Sequence, residues 1–131
     1  NADLNIAGLS IGRHPVAFFR EPLTKQGVYR ASELLNLRNG LLVEVAGLVI
    51  CRQRPQTANG LLFMSLEDES GISNIVVMPD IWEKQRATIV GSHLIRVIGV
   101  LQNLEGSASI KAYSIRPLPV DLAAHYSHDF H

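Results

Sequence analysis

The chain has 131 residues, 47% of them hydrophobic and 18% charged, which is enough apolar material for one buried core and too much for a disordered tail. Twelve basic and twelve acidic side chains cancel to a formal charge of zero, which counts against any function that relies on a strong positive field. No apolar run reaches the roughly 20 residues of a membrane helix, the apolar stretches read as internal rather than as a leader, and the single cysteine, Cys51, fits a reducing cytoplasmic setting.

Asn1-Ala2 ahead of Asp3 resembles the scar of a cleaved tag and is set aside. Residues 3–40 form a lead-in with helical signals. His14-Pro15 opens a helix, since proline suits a first turn. Val16, Phe18, Phe19 and Leu23 give that helix an apolar stripe, and Pro22 is expected to kink or end it. Ser32 before Glu33-Leu34-Leu35 predicts a second short helix with Ser32 as cap, stopping by Asn39-Gly40.

The texture changes over residues 41–117, where short β-rich runs alternate with turn signals. A long first strand covers 41–54, with Gly47 inside it as the place for a bend or bulge. A loop at 55–60 leads to a second strand at 61–68, a tight turn at Glu69-Ser70-Gly71 and a third strand at 72–78. Pro79-Asp80 starts a helix that runs to about Ile89, with Asp80 as its cap. A fourth strand at 94–102 turns through 103–107 into a fifth at 109–117. Residues 118–131 are polar, without a period, and read as a loosely held tail.

Five short strands with one helix between the third and fourth is the order of an OB barrel. The predicted class is therefore all-β: a five-stranded OB-fold barrel over 41–117, a short helical extension over 1–40 and a tail over 118–131. Closure explains why the first and fourth strands are apolar on both faces, one row filling the barrel and the other lying under the helix or the N-terminal segment. No internal repeat or low-complexity tract is visible.

Several separated stretches carry a resemblance. Val45-Ala46-Gly47-Leu48-Val49, then Arg52-Gln53-Arg54-Pro55, then the run from Phe63 to Gly71 resemble the OB domain of bacterial C-family DNA polymerases, most closely the error-prone (ImuC-type) branch. The segment from Leu9 to Pro15 resembles the approach to that domain from the helix-hairpin-helix region, and Ser127-His128-Asp129-Phe130-His131 resembles the usual end of the branch. The resemblance implies a piece from the C-terminal end of a polymerase whose catalytic carboxylates lie far upstream. It further implies single-stranded template DNA, the rest of the polymerase chain and accessory mutagenesis proteins as partners, and a role in damage-induced repair synthesis. A more distant likeness links Phe63 through Asn74 and Val76 to the anticodon-binding OB domain of aspartyl-type tRNA synthetases. It implies base stacking for Phe63 and base reading for Asn74. Where those synthetases have an aromatic in strand three this chain has Val76, and where the polymerases have one before the strand-ending proline it has Met78.

An OB groove needs cations to follow phosphates and flat rings to stack on bases. Arg52, Gln53 and Arg54, where strand one runs into its loop, are the candidate phosphate-contacting edge, or else a solvated strand end. Phe63 alternates with the better core candidates Met64 and Leu66, so it belongs to the outer face or packs under the N-terminal helices. Lys111 and Tyr113 share a row of strand five and offer a cation and a ring, or an edge-strand surface. The candidate nucleic-acid set is thus Arg52, Gln53, Arg54, Phe63, Asn74, Lys111 and Tyr113. Trp82 reads as a core plug. Glu67, Asp68 and Glu69 read as turn chemistry rather than an acid–base or metal set. The five histidines have no metal-ligand spacing, no nucleotide or cofactor fingerprint is present, and neither a metal, a cofactor nor a membrane is expected. The alternative to DNA binding is a protein-docking module, which zero net charge and few aromatics favour.

Overall fold

Period-two alternation becomes strand wherever the sequence keeps it. A computed structural model describes residues 14–118 apart from Glu105, so the expectations for 1–13 and 119–131 lie outside the described residues. Strand β1 spans Leu42–Gln53, β2 Leu62–Asp68, β3 Gly71–Val77, β4 Leu94–Leu104 and β5 Ser107–Pro117. Helix α2, Pro79–Gly91, lies between β3 and β4, following a shorter α1 at Arg20–Lys25. The strands close in the order β1-β2-β3-β5-β4, with β3–β5 the parallel pairing. This is the five-stranded OB barrel that the element order predicts.

Closure sets demands on particular residues. β1 pairs with β4 over Leu42–Leu48 and with β2 over Leu48–Gln53, so it must bend between the two. The bend is a bulge at Ile50, between Val49 and Cys51, and not at Gly47 as its sequence suggests. Gly47 serves a close approach instead. A Cβ there would sit 2.9 Å from the Leu66 Cβ and 3.0 Å from the Glu67 carbonyl oxygen. β5 carries a second bulge, with Tyr113 opposite Ile98 and Gly99, and a Cβ on Gly99 would overlap the Lys111 carbonyl.

The interior is filled by Val43, Val45, Leu62, Met64, Leu66, Ile75, Val97, Ile110 and their neighbours, and Ile89 of α2 closes one end. Each fully buried Leu or Ile contributes about 1.5–3 kcal/mol. A second cluster lies outside the barrel, where Val16, Phe19, Leu23, Val28 and Leu118 pack over Ala46 of β1. Of the two covers the sequence allows for the second face of β1, the N-terminal segment takes the part around Ala46, while Leu42 and Ile50 to either side stay exposed.

That segment differs in detail from expectation. Pro15–Phe19 is 3-10 helix and runs directly into α1, so Pro22 falls in the first turn of α1, a position where proline is tolerated, rather than ending a helix. Ala31–Asn36 is also 3-10 helix, and its N-terminus is satisfied by Glu33, which accepts the Arg30 N–H at 2.7 Å; Ser32 is not the cap. Similarly, Met78 occupies the cap of α2, and Asp80 sits in the first turn, where its charge suits the helix dipole.

The segment is pinned to the β2–β3 turn by charge. Asp68 is 4% exposed and accepts the Ser70 N–H and hydroxyl, each at 2.7 Å, the Gly71 N–H at 3.0 Å and the Ala31 N–H at 2.9 Å. Arg20, itself buried, donates to both Glu69 oxygens at 2.6 and 3.1 Å, and Arg30 stands 3.4 Å from the same carboxylate. His14 accepts the Val16 N–H at Nδ1, so the Nε2 3.2 Å from Glu67 carries the donated proton. The three consecutive acids are thus turn and latch chemistry.

Candidate nucleic-acid interface

The register places the outward side chains of β1, β2, β3 and β5 in two rows that cross the strands. One row is Gln53, Phe63, Val76 and Lys111, and continues through Val100 of β4 to Leu42. The next is Cys51, Ser65, Asn74, Ser109 and Gln102. The first row is largely apolar and the second carries hydroxyls and amides. Between β1 and β5 the two rows form a groove lined by Gln53, Phe63, Ser65, Asn74, Val76 and Ser109 among others.

Phe63 is 37% exposed, so its ring faces outward and is not under the N-terminal helices. Its inward neighbours Met64 and Leu62 anchor the strand beneath it. Asn74 is exposed and makes one long contact, Nδ2 to the Ala108 carbonyl at 3.5 Å, leaving most of its hydrogen-bonding capacity to the groove. A ring beside neutral donors and acceptors can stack on a base and bond its edge. The groove lining contains no arginine or lysine; Lys111, next to Val76, is the adjacent cation and is half-buried.

Of the seven residues expected here, Gln53, Phe63 and Asn74 come together, and Lys111 borders them. Arg52 and Arg54 do not join them. The Ile50 bulge shifts the alternation of β1 by one, so Arg52 pairs with the inward Met64 and leaves from the inner side of the strand. There its Nε donates to the Ile89 carbonyl at 2.9 Å and its Nη2 to the Ser92 carbonyl at 3.1 Å, satisfying the end of α2. Arg54 stacks on Trp82, its guanidinium carbon 4.8 Å from the ring centroid. Tyr113, expected beside Lys111, is the bulged residue of β5, faces β4 across the ladder and is 52% exposed away from the groove lining. Trp82 packs against the barrel core, as expected of a plug. Its Nε1 is buried without a partner among the described residues. Ser65 and Ser109 escaped notice because only register, not composition, sets them beside Phe63 and Asn74.

Burial alone would raise the Glu69 carboxyl. The Arg20 hydrogen bond, a backbone hydrogen bond and the charges of Arg20 and Arg30 outweigh it and hold the group below its ordinary value. Among the described residues no three His, Cys, Asp or Glu side chains converge as a metal site, and no helix is long and apolar enough to cross a membrane.

The closed five-stranded barrel with this groove defines a class. Residues 37–118 match the family model of the OB-fold nucleic acid binding domain, and the chain belongs to that family. Its sequence relatives are more particular. It is 46% identical over 105 residues to an error-prone DNA polymerase of Methylococcus capsulatus, covering 80% of this chain and 10% of that protein. It is 42% identical over 130 residues to the error-prone DNA polymerase of Corynebacterium diphtheriae, covering 98% of this chain and 12% of that one. The chain thus spans about a tenth of the length of these relatives. Solved structures share the fold at low identity. Asparaginyl-tRNA synthetase from Pyrococcus horikoshii superposes with a TM-score of 0.55 at 19% identity, over 77% of this chain and 29% of that one. An OBody bound to hen egg-white lysozyme gives 0.55 at 19%, over 70% and 93%.

Proposed function

We propose that this domain is a single-stranded DNA-binding module of an error-prone DNA polymerase, acting in damage-induced repair synthesis in the cytoplasm and performing no nucleotidyl transfer itself. The observation that carries the reading is the exposed Phe63 ring sharing one groove with the amides of Gln53 and Asn74. A base stacked on Phe63 would present its edge to Asn74, Ser65 and Ser109, while Lys111 meets a backbone phosphate. Duplex DNA buries its base faces, so blunt duplex is excluded from such a site.

With Arg52 and Arg54 turned from the groove, Lys111 is the cation left beside it among the described residues. A strand no longer than the groove should therefore bind weakly, with a logarithmic salt slope near 0.7 in magnitude, one phosphate contact's share for single strands. Fluorescence anisotropy of a labelled oligonucleotide of about four nucleotides, the short end of OB site sizes, measures both quantities.

A second reading has its own support. Val100, Leu42 and Tyr113 extend an apolar outer surface beyond Lys111, with Leu42 61% exposed. A docking module for the rest of the polymerase chain or for accessory mutagenesis proteins would use such a surface. If the domain binds no single strand of any length at low salt and high micromolar concentration, the DNA reading fails and docking replaces it.

A further inference from the structure

The groove ends where Gln53, Phe63 and Val76 meet the rim of the barrel, and one basic residue, Arg54, stands immediately beyond. Arg54 follows Gln53 directly. Gly60, which closes the same loop, lies against the first residue of α2: a Cβ on Gly60 would be 3.3 Å from Pro79 Cγ. One turn along α2, Trp82 holds Arg54 at 4.8 Å and Arg86 at 5.4 Å from its ring centroid. Lys84 is exposed on the same helix.

We infer that a single strand leaving the groove continues around this rim, with its phosphodiester backbone held by Arg54 and Arg86 on their shared Trp82 platform. The inference rests on the groove reading and extends its footprint onto α2. The physical reason lies in how each arginine is used. Arg52 spends its donor edge on the Ile89 and Ser92 carbonyls. Arg54 is engaged through its face, and stacking leaves the N–H edge of a guanidinium free to fork onto a phosphate. The ring also restrains a flexible side chain in advance, which lowers the entropy lost on binding. Arg86 lies over the same ring at 5.4 Å and gives only Nη2, at 3.0 Å, to Glu83. Among the described residues Glu83 pairs with Arg86 alone, and Arg54 has no carboxylate partner, so a positive charge is left uncompensated on the ring of a chain whose total is zero. A phosphate chain supplies the missing negative charge at regular spacing, and the groove delivers it there.

The test compares oligonucleotides of about 4 and about 15 nucleotides on the full chain, within the range of OB site sizes. The short strand should show the single-contact slope. The long strand should add Arg54 and Arg86 and reach a slope near 2, at roughly 0.7 per contact. The Arg54→Ala/Arg86→Ala variant should return the long strand to about 0.7 and leave the short one unchanged. Glu83→Gln, which frees Arg86, should tighten the long strand only. Opposite effects from two positions on one helix cannot come from misfolding. Phe63→Ala should weaken both lengths alike, so loss of the groove and loss of the rim are distinguishable. Equal slopes for the two lengths in the parent, or a long-strand slope untouched in the double variant, would overturn the inference. So would equal competition by a polyglutamate peptide of matched charge, which would assign the rim to acidic protein segments.

Discussion

Phe63 and Arg52 are both exposed side chains near one edge of the barrel, and they leave opposite faces of the sheet. Phe63 stands on the outer face between Gln53 and Val76, with no load on the core. Phe63→Ala should lower single-strand affinity by about 1–3 kcal/mol, leave the salt slope unchanged and barely move the melt. A large drop in melting temperature would mean the ring is structural instead. Arg52 holds the end of α2 through two carbonyls. Arg52→Ala should therefore cost about 1 kcal/mol of stability by chemical denaturation, with no change in DNA slope. Unchanged stability with a flattened slope would return Arg52 to the interface. The difference between the two residues shows what was legible. The alternation of Phe63 with Met64 and Leu66 takes the ring out of the core row from sequence alone, and its exposure then decides for the open outer face over a place under the N-terminal helices. Arg52 could not be placed that way, because the Ile50 bulge reverses the phase of β1 after Val49, and nothing in the composition of Val49-Ile50-Cys51 signals an extra residue.

Elements were legible where a period ran long enough. All five strands and α2 sit within two residues of their expected bounds, since their patterns are set by local alternation and by Pro79. Caps were less so. Ser32 and Asp80 have the right chemistry for capping, but the caps are Arg30 and Met78: Ser32 lies inside the 3-10 turn, its N–H bonded to the Ser70 hydroxyl at 3.0 Å, and Asp80 lies inside the first turn of α2. That turn binds the N-terminal segment chiefly through Glu69, which Arg20 and Arg30 hold ionised below its ordinary value. A carboxyl depressed in the folded state adds stability at pH values above its unfolded pKa, about 4.3, and the gain vanishes as pH falls through the folded value. Glu69→Gln should thus melt below the parent at pH 7. The gap between the two should narrow steadily once pH drops under about 4.3. A gap of constant size from pH 7 to pH 3 would show that the carboxylate's charge is not what secures the latch.

At the scale of the whole molecule, the strand order with one helix between the third and fourth strands was enough to specify a closed OB barrel, because few topologies accept that order. The neutral total charge was also legible, but its distribution was not: the cations gather at the α2 rim only once β1, the loop before Gly60 and α2 are brought together. The same distribution bears on chemistry. Phosphoryl transfer by a polymerase needs carboxylates that hold two metal ions in line with the reacting phosphate. The one run of acids here, Glu67 to Glu69, is committed elsewhere. Asp68 is buried and accepts four hydrogen bonds, Glu69 is held by two arginines, and Glu67 faces His14. Freeing them for metal would break the ion pairs and hydrogen bonds that fasten the N-terminal segment to this turn. The chain should therefore incorporate no nucleotide on a primed template with magnesium or manganese, while still binding the template strand in the same buffer. The decisive measurement is primer extension by a preparation freed of host polymerase, run beside Asp68→Asn. Metal-dependent extension that the variant loses would locate catalysis in this turn and refute the assignment of the domain as a binding module alone.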